Sequence, residues 1–244
     1  TWGKGSGETS AIPFIRGLVH HNKVNHSLMG VNDYGGIESW QGGPAYYYNN
    51  ISGDPQGFHY NWWIDHIMSL GYAFYFDGAF KQYAFNNIAK GTSWNRNASA
   101  YTQVLGFYNM YVHNNAYNMD NLFTSGDDNL ALDGQNYYLS NIADSTNNHI
   151  NHTTRAAGVP FDSYGNNIFS GKAFNGNFVT GGTQTDLSSF KQNLATYNPD
   201  LGQVGYETSK RVFIHPASGD YRLSSTSEAI DRGVQFFVPF ALSS

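Results

Sequence analysis

Three carboxylates stand in two short aromatic segments, Val31-Asn32-Asp33-Tyr34-Gly35-Gly36-Ile37-Glu38-Ser39-Trp40 and Tyr72-Ala73-Phe74-Tyr75-Phe76-Asp77-Gly78. Brought together, such acids can cleave a glycosidic bond. One carboxyl protonates the leaving oxygen while another attacks the sugar or activates water, and their separation decides between inversion and retention. Asp33, Glu38 and Asp77 are the candidate catalytic carboxylates, with Tyr75 as a substrate-binding neighbour. Trp40, Trp62 and Trp63 offer flat rings on which the C–H face of a pyranose can pack. His21, His59 and His66 are candidates for hydrogen bonding to sugar hydroxyls, or for acid and base work near neutral pH. The scaffold reading is that Asp77-Gly78 is an ordinary turn pair, since Leu132-Asp133-Gly134 repeats the pattern further along.

The elements that must position these groups announce themselves as a repeat. Tyr48-Asn49-Asn50-Ile51, Phe85-Asn86-Asn87-Ile88, His113-Asn114-Asn115-Ala116, Leu139-Ser140-Asn141-Ile142 and Gly165-Asn166-Asn167-Ile168 each follow a run of alternating apolar or aromatic residues. Steps between the second Asn of successive copies are 37, 28, 26 and 26 residues, within the range of stacked-repeat architectures. The runs between copies are too short for helical repeats and rich in Tyr, Phe, Ile and Val, so they read as strands. The expected fold is all-β, a right-handed parallel β-helix of about six to eight turns. In it, Asn at one corner bonds the equivalent Asn of the next turn, and the following Ile points inward. The bland reading is that Asn marks any tight turn because it tolerates positive φ.

With the Asn pairs as register marks, Ile37-Glu38-Ser39-Trp40 falls opposite Phe74-Tyr75-Phe76-Asp77 on the next turn. Residues two apart on a strand share a face, which sets Glu38 and Asp77 roughly 5 to 9 Å apart. The segment containing His59, Trp62 and Trp63 lies in the long first step and is expected to form a loop overhanging the acids.

Composition narrows the function classes. The 244 residues are 40% hydrophobic, enough for one sizeable core, and 1–244 reads as a single domain with an irregular insertion at 180–210. Only 13% are charged, the net charge is −5 and Lys and Arg do not cluster, which argues against nucleic-acid or anionic-membrane partners. Apolar runs do not reach transmembrane length, and cysteine is absent. His149 and His152 can ligate a metal, but a structural site gathers three or four ligands and no His-Glu-x-x-His motif is present, so no cofactor is expected. Asp127-Asp128-Asn129 alone offers oxygen ligands to calcium.

Abundant Asn, Gly, Ser, Thr and Tyr with little charge suit a secreted or extracellular protein, periplasmic and surface locations included. Thr1-Trp2-Gly3-Lys4-Gly5-Ser6-Gly7 carries no signal-peptide pattern, and about ten residues precede the strand-like Ile12-Pro13-Phe14-Ile15. An open first turn needs a cap. Two expectations stay open: the chain is the C-terminal part of a longer protein, or another chain covers that turn through self-association.

Two stretches resemble known proteins. Asp220-Tyr221-Arg222-Leu223 followed by Ser227-Glu228-Ala229-Ile230-Asp231-Arg232-Gly233 resembles the tail of secreted right-handed β-helix proteins of carbohydrate metabolism, where it packs beside the last turn. Asp33-Tyr34-Gly35-Gly36-Ile37-Glu38-Ser39-Trp40 with Ala73-Phe74-Tyr75-Phe76-Asp77-Gly78 is similar to the paired motif of the β-helix glycoside hydrolases with fucosidase and xylanase activities. That resemblance implies Asp33 and Asp77 as the carboxyl pair acting on a polysaccharide or oligosaccharide. The departure is Gly78, where such proteins often carry a second acidic or amide residue. The alternatives are a polysaccharide lyase, which would need Lys or Arg beside the acids where this chain has none, and a glycan-binding or self-assembling protein that does not cleave.

Overall fold

The computed structural model describes residues 17–31, 33–61, 66–91, 98–127, 135–154, 162–178, 182–197 and 203–236. From Gly17–His20 to Gly176–Phe178 the chain visits three sheets in rotation, with one hairpin inserted on the way. Strands Gly17–His20, Ala45–Tyr48, Gln82–Phe85, Met110–Val112, Tyr137–Leu139 and Ser163–Gly165 stack as the first sheet. The second begins at Lys23–Asn25 and ends at Gly205–Thr208, and the third begins at Tyr34–Trp40. Pairing within the stacks is parallel, apart from the strand Gly182–Gln184, which runs antiparallel to Gly176–Phe178 at the end of the third sheet. The protein is thus an all-β repeat structure of stacked parallel strands, the arrangement of a β-solenoid.

Asparagine fixes the corner between the first and second sheets, and each Asn of a pair has a separate task. The first member is left-handed, as at Asn49, Asn86 and Asn166, and His21, His113 and Ser140 take the same conformation on other turns; Asn accepts that conformation at little cost. The second member is a buried rung. Asn50, Asn87 and Asn114 each donate both a backbone N–H and Nδ2–H to Oδ1 of the next rung, all near 3.0 Å, and Asn141 does the same to Asn167. The column starts earlier than the sequence indicated, at Asn22, and ends on the carbonyl of Val204. It also corrects one register mark. In the third copy the rung is Asn114, while Asn115 pairs with Ile88 and Ile142, so the steps are 37, 27, 27 and 26 residues. A second column, Gln82, Asn109, Asn136 and Asp162, lines the corner entering the first sheet.

The core lies between the three sheets and is largely aromatic. Tyr111 stacks on Tyr138 at 4.8 Å and Tyr138 on Tyr164 at 5.0 Å, while Phe74 stacks on Tyr101 at 5.2 Å. Buried Ala89, Ala116 and Ala143 from the second sheet make room for these rings. Here the inward-pointing Ile expectation is overturned. Ala89 and Ala143 face the core, so the preceding Ile88 and Ile142 face outward by strand alternation. Ile142 and Ile168 instead form a separate cluster with Val212 and Phe213, joined by Tyr206, Tyr221 and Ala229. The C-terminal segment therefore lies on the outer face of the second sheet over the last turns, and beyond it Val234 bonds Ser140 and His113.

Within the stretch 180–210 the described residues hold the strand Gly182–Gln184, the helix Leu187–Tyr197, capped where Asp186 accepts the Ser189 N–H at 2.7 Å, and the strand Gly205–Thr208. Leu187, Phe190 and Leu194 are buried in the main core, with Phe190 edge-on to Phe174. The helix thus covers the C-terminal end of the core, a protected edge of the kind stacked sheets require. The expectation about capping the first turn falls on residues 1–16, outside the described residues.

Candidate functional site

Strands Tyr34–Trp40 and Gly71–Asp77 pair in parallel with Ile37 opposite Phe74, Glu38 opposite Tyr75, Ser39 opposite Phe76 and Trp40 opposite Asp77. That is the register the Asn marks implied. The outer face is sharpened by a pair of glycines. A Cβ on Gly36 would meet the Ser52 and Ser27 hydroxyls at 2.6 and 2.9 Å, so this position turns inward together with Ile37. Gly35 and Glu38 consequently meet outside, and the Gly35 N–H donates to Glu38 Oε2 at 3.0 Å. A Cβ on Gly35 would sit 2.8 Å from Tyr75 Cβ, too close for any other residue without movement.

Asp33 enters from a left-handed turn residue, φ 59°, and its N–H donates to the Leu70 carbonyl at 3.2 Å. Leu70 in turn donates to Gly57 at 3.1 Å, closing an antiparallel hairpin of strands Phe58–Asn61 and His66–Ser69. His59 and His66 lie on those two strands. The loop expected in the long first step is therefore a hairpin rooted beside Asp33; Trp62 and Trp63 lie outside the described residues.

Two phenols complete the cluster. Tyr72 donates a hydrogen bond to Asp33 and Tyr75 donates one to Asp77, and their rings lie 4.4 Å apart. Burial pushes the acidity of both phenols far out of the physiological range, and the neighbouring carboxylates add to the shift, so both remain donors. Glu38 is raised above the usual carboxylate range, first by burial and then by the charges of Asp77 and Asp33, against the Gly35 hydrogen bond. Asp77 is raised by burial and then by Asp33, against the hydrogen bond from Tyr75. The charges acting on these two acids are those of other acids, which makes protonation of one of them the natural relief.

Trp40 stands beside Asp77 and is 66% exposed, with Tyr34 at the other end of its strand 53% exposed. The structure thus brings together Asp33, Glu38, Asp77, Tyr75 and Trp40. It separates His21 from them. His21 sits at the corner between the other two sheets, within reach of His20 at 2.9 Å and Asn49 at 3.4 Å, and has the role of a left-handed corner residue. Tyr46 and Tyr47 on the strand Ala45–Tyr48 are buried.

Tyr72 was missed. Its signal was available: it stands at the position matching Gly35 in the next turn, three residues before Tyr75, the spacing at which Gly35 and Glu38 meet. Among the described residues no group of three or more His, Cys, Asp or Glu side chains could hold a metal ion. The calcium candidate Asp127-Asp128-Asn129 reaches into residues outside the description. No helix of the described residues is long and apolar enough to cross a membrane. No family model, curated protein or solved structure matches the chain, so the chemistry assigned to this face rests on its geometry.

Proposed function

We propose that the protein is a secreted, right-handed parallel β-helix glycoside hydrolase acting on a neutral or weakly charged polysaccharide or oligosaccharide, with its reaction centre at Asp33, Glu38 and Asp77. The observation that carries this reading is the register that puts Glu38, Trp40 and Asp77 on one outer face, with Asp33 at its edge. Hydrolysis of a glycosidic bond needs one carboxyl that keeps its proton and one that is ionised. Mutual repulsion and burial at Glu38 and Asp77 favour that split.

In the proposed division of labour Asp33 and Asp77 form the reacting pair, and Glu38, raised by burial and by the neighbouring acids, is the reserve acid. The phenols of Tyr72 and Tyr75 orient the two aspartates, and exposed Trp40 is the platform for the neighbouring sugar.

The test is reducing-sugar release from a panel of plant, algal and bacterial polysaccharides by the wild-type chain and by Asp33→Asn, Asp77→Asn and Glu38→Gln. Release by wild type that is lost in both aspartate variants supports the reading and the pair. Folded wild-type protein that releases nothing, or that yields an unsaturated product absorbing in the ultraviolet, overturns it in favour of a binder or a lyase respectively.

A further inference from the structure

A second polar concavity lies away from the acidic face, between the outer face of the second sheet and the C-terminal hairpin Phe213–His215 and Asp220–Leu223. Its volume of about 570 Å³ is in the range of small-molecule sites. The hairpin is held there by the Ile142, Ile168, Val212 and Phe213 cluster, so the walls are positioned by packed apolar contacts.

The floor consists of Asp144 and Ser145. Asp144 ends the strand Ile142–Asp144, is 9% exposed, and accepts the Ser145 hydroxyl at 3.0 Å. These atoms are uncovered because residue 171 has no side chain. A Cβ on Gly171 would lie 2.8 Å from Asp144 Oδ1 and 2.7 Å from the Ser145 hydroxyl. The opposite wall carries the cations Lys210 and Arg211, with His215 beside them. Lys210 is paired with Glu228 at 2.7 Å. Arg211 donates to His215 Nδ1 at 3.2 Å, which leaves the His215 proton on Nε2. Among the described residues no carboxylate lies within ion-pair distance of Arg211.

The two walls ask for opposite things from one ligand. Asp144 as a carboxylate only accepts, so it needs hydroxyl donors, whereas the Arg211 fork only donates and matches a carboxylate. A simple anion would be repelled by Asp144, and a neutral sugar would leave the guanidinium unmatched. From this juxtaposition we infer that the cleft binds a hydroxylated carboxylate of one ring, a sugar acid, as a binding site separate from the acidic face. It gives the protein a hold on acidic residues of a glycan, independent of any cleavage on the third sheet.

Isothermal titration of the full chain with glucuronate, glucose and acetate tests this. Glucuronate is expected to saturate one site, with glucose and acetate each weaker by about tenfold or more, since a hydrogen bond to a charged group contributes roughly 1.5–3 kcal/mol and 1.4 kcal/mol is a factor of ten. Arg211→Gln, an exposed change, and the isosteric Asp144→Asn should each weaken glucuronate by a similar factor at unchanged melting temperature, while Asp33→Asn leaves it intact. Absence of saturable glucuronate binding by folded wild type overturns the proposal. So does acetate binding as tightly as glucuronate, which would reveal an anion patch, or loss of binding in Asp33→Asn, which would place the ligand on the acidic face.

Discussion

Removing one rung of the asparagine column should cost far more than removing its immediate neighbour. Asn114 Oδ1 accepts the backbone N–H and Nδ2–H of Asn87, and its Nδ2 donates to the carbonyl of Ala84 at 2.9 Å and to Asn141 Oδ1 at 3.1 Å. In Asn114→Ala the Asn87 Nδ2 still reaches the Tyr47 carbonyl and Asn141 Oδ1 still receives the residue 114 backbone N–H. The Asn87 N–H, fully buried, is left without its acceptor, and the Ala84 carbonyl loses a donor. An orphaned buried donor costs about 1–3 kcal/mol. With the weakened carbonyl and a small void, the total comes to about 2–4 kcal/mol. For a chain of this length that is a fall of roughly 4–16 °C in melting temperature.

Asn115→Ala is the control, because Asn115 is a half-exposed residue beside the column that belongs to the Ile88 and Ile142 row. It should cost at most about 0.5 kcal/mol, as surface changes usually do. Urea denaturation followed by circular dichroism and by Tyr and Trp fluorescence reads both variants, coincidence of the two probes establishing that a single transition is compared. Equal midpoints for the two variants, or a larger loss for Asn115→Ala, would refute the assignment of tasks within the Asn pair.

Two further outcomes follow from the acidic face. The folded state raises Glu38 above its ordinary carboxylate value, so its ionised form is disfavoured on folding. The resulting cost is absent below the ordinary carboxylate range and sets in as pH rises through it towards the folded value. Glu38→Gln, whose amide oxygen can still accept from Gly35, should therefore melt higher than wild type near neutral pH and no higher in acid; a gain confined to acid would contradict the sign. Tyr75→Phe removes the hydrogen bond that holds Asp77 down against burial and Asp33. The Asp77 carboxyl should then titrate higher still, measured by the side-chain carboxyl carbon signal, and an unchanged or lower titration would show that the phenol does not engage it.

Much of this architecture was legible because its specification is local and repeated. Asn-Asn-Ile marked the corner well enough to place Glu38 opposite Tyr75 and Trp40 opposite Asp77. The mark slipped at His113-Asn114-Asn115-Ala116, where the residue following the pair is Ala and either Asn could be the rung. Ile was assigned to the wrong side for a physical reason. Apolar residues were presumed to face the core, but a distant segment carrying Val212 and Phe213 returns to cover the outer face of the second sheet. Nothing local to Ile142 or Ile168 encodes that return. The helix was hidden because Leu187, Phe190 and Leu194 are separated by polar residues in a stretch that reads as loop. Tyr72 escaped notice because tyrosines also fill the core, and only the bend at Gly36 and Ala73 brings the matching position outward.

The hairpin of the long first step has a bearing on how such a chain can change. Its ends, Gly57 and Leu70, are tied by a single backbone hydrogen bond, and the rungs on either side of the detour, Asn50 and Asn87, bond one another as closely as rungs 27 residues apart do. Alignment of the turns is thus indifferent to how much chain lies between successive rungs. Sequence at that position can be lengthened, shortened or exchanged while Asp33, anchored through Leu70, keeps its place. The scaffold behaves as a chassis with an open socket next to its acids, and what that face recognises can be rewritten there without renegotiating the fold.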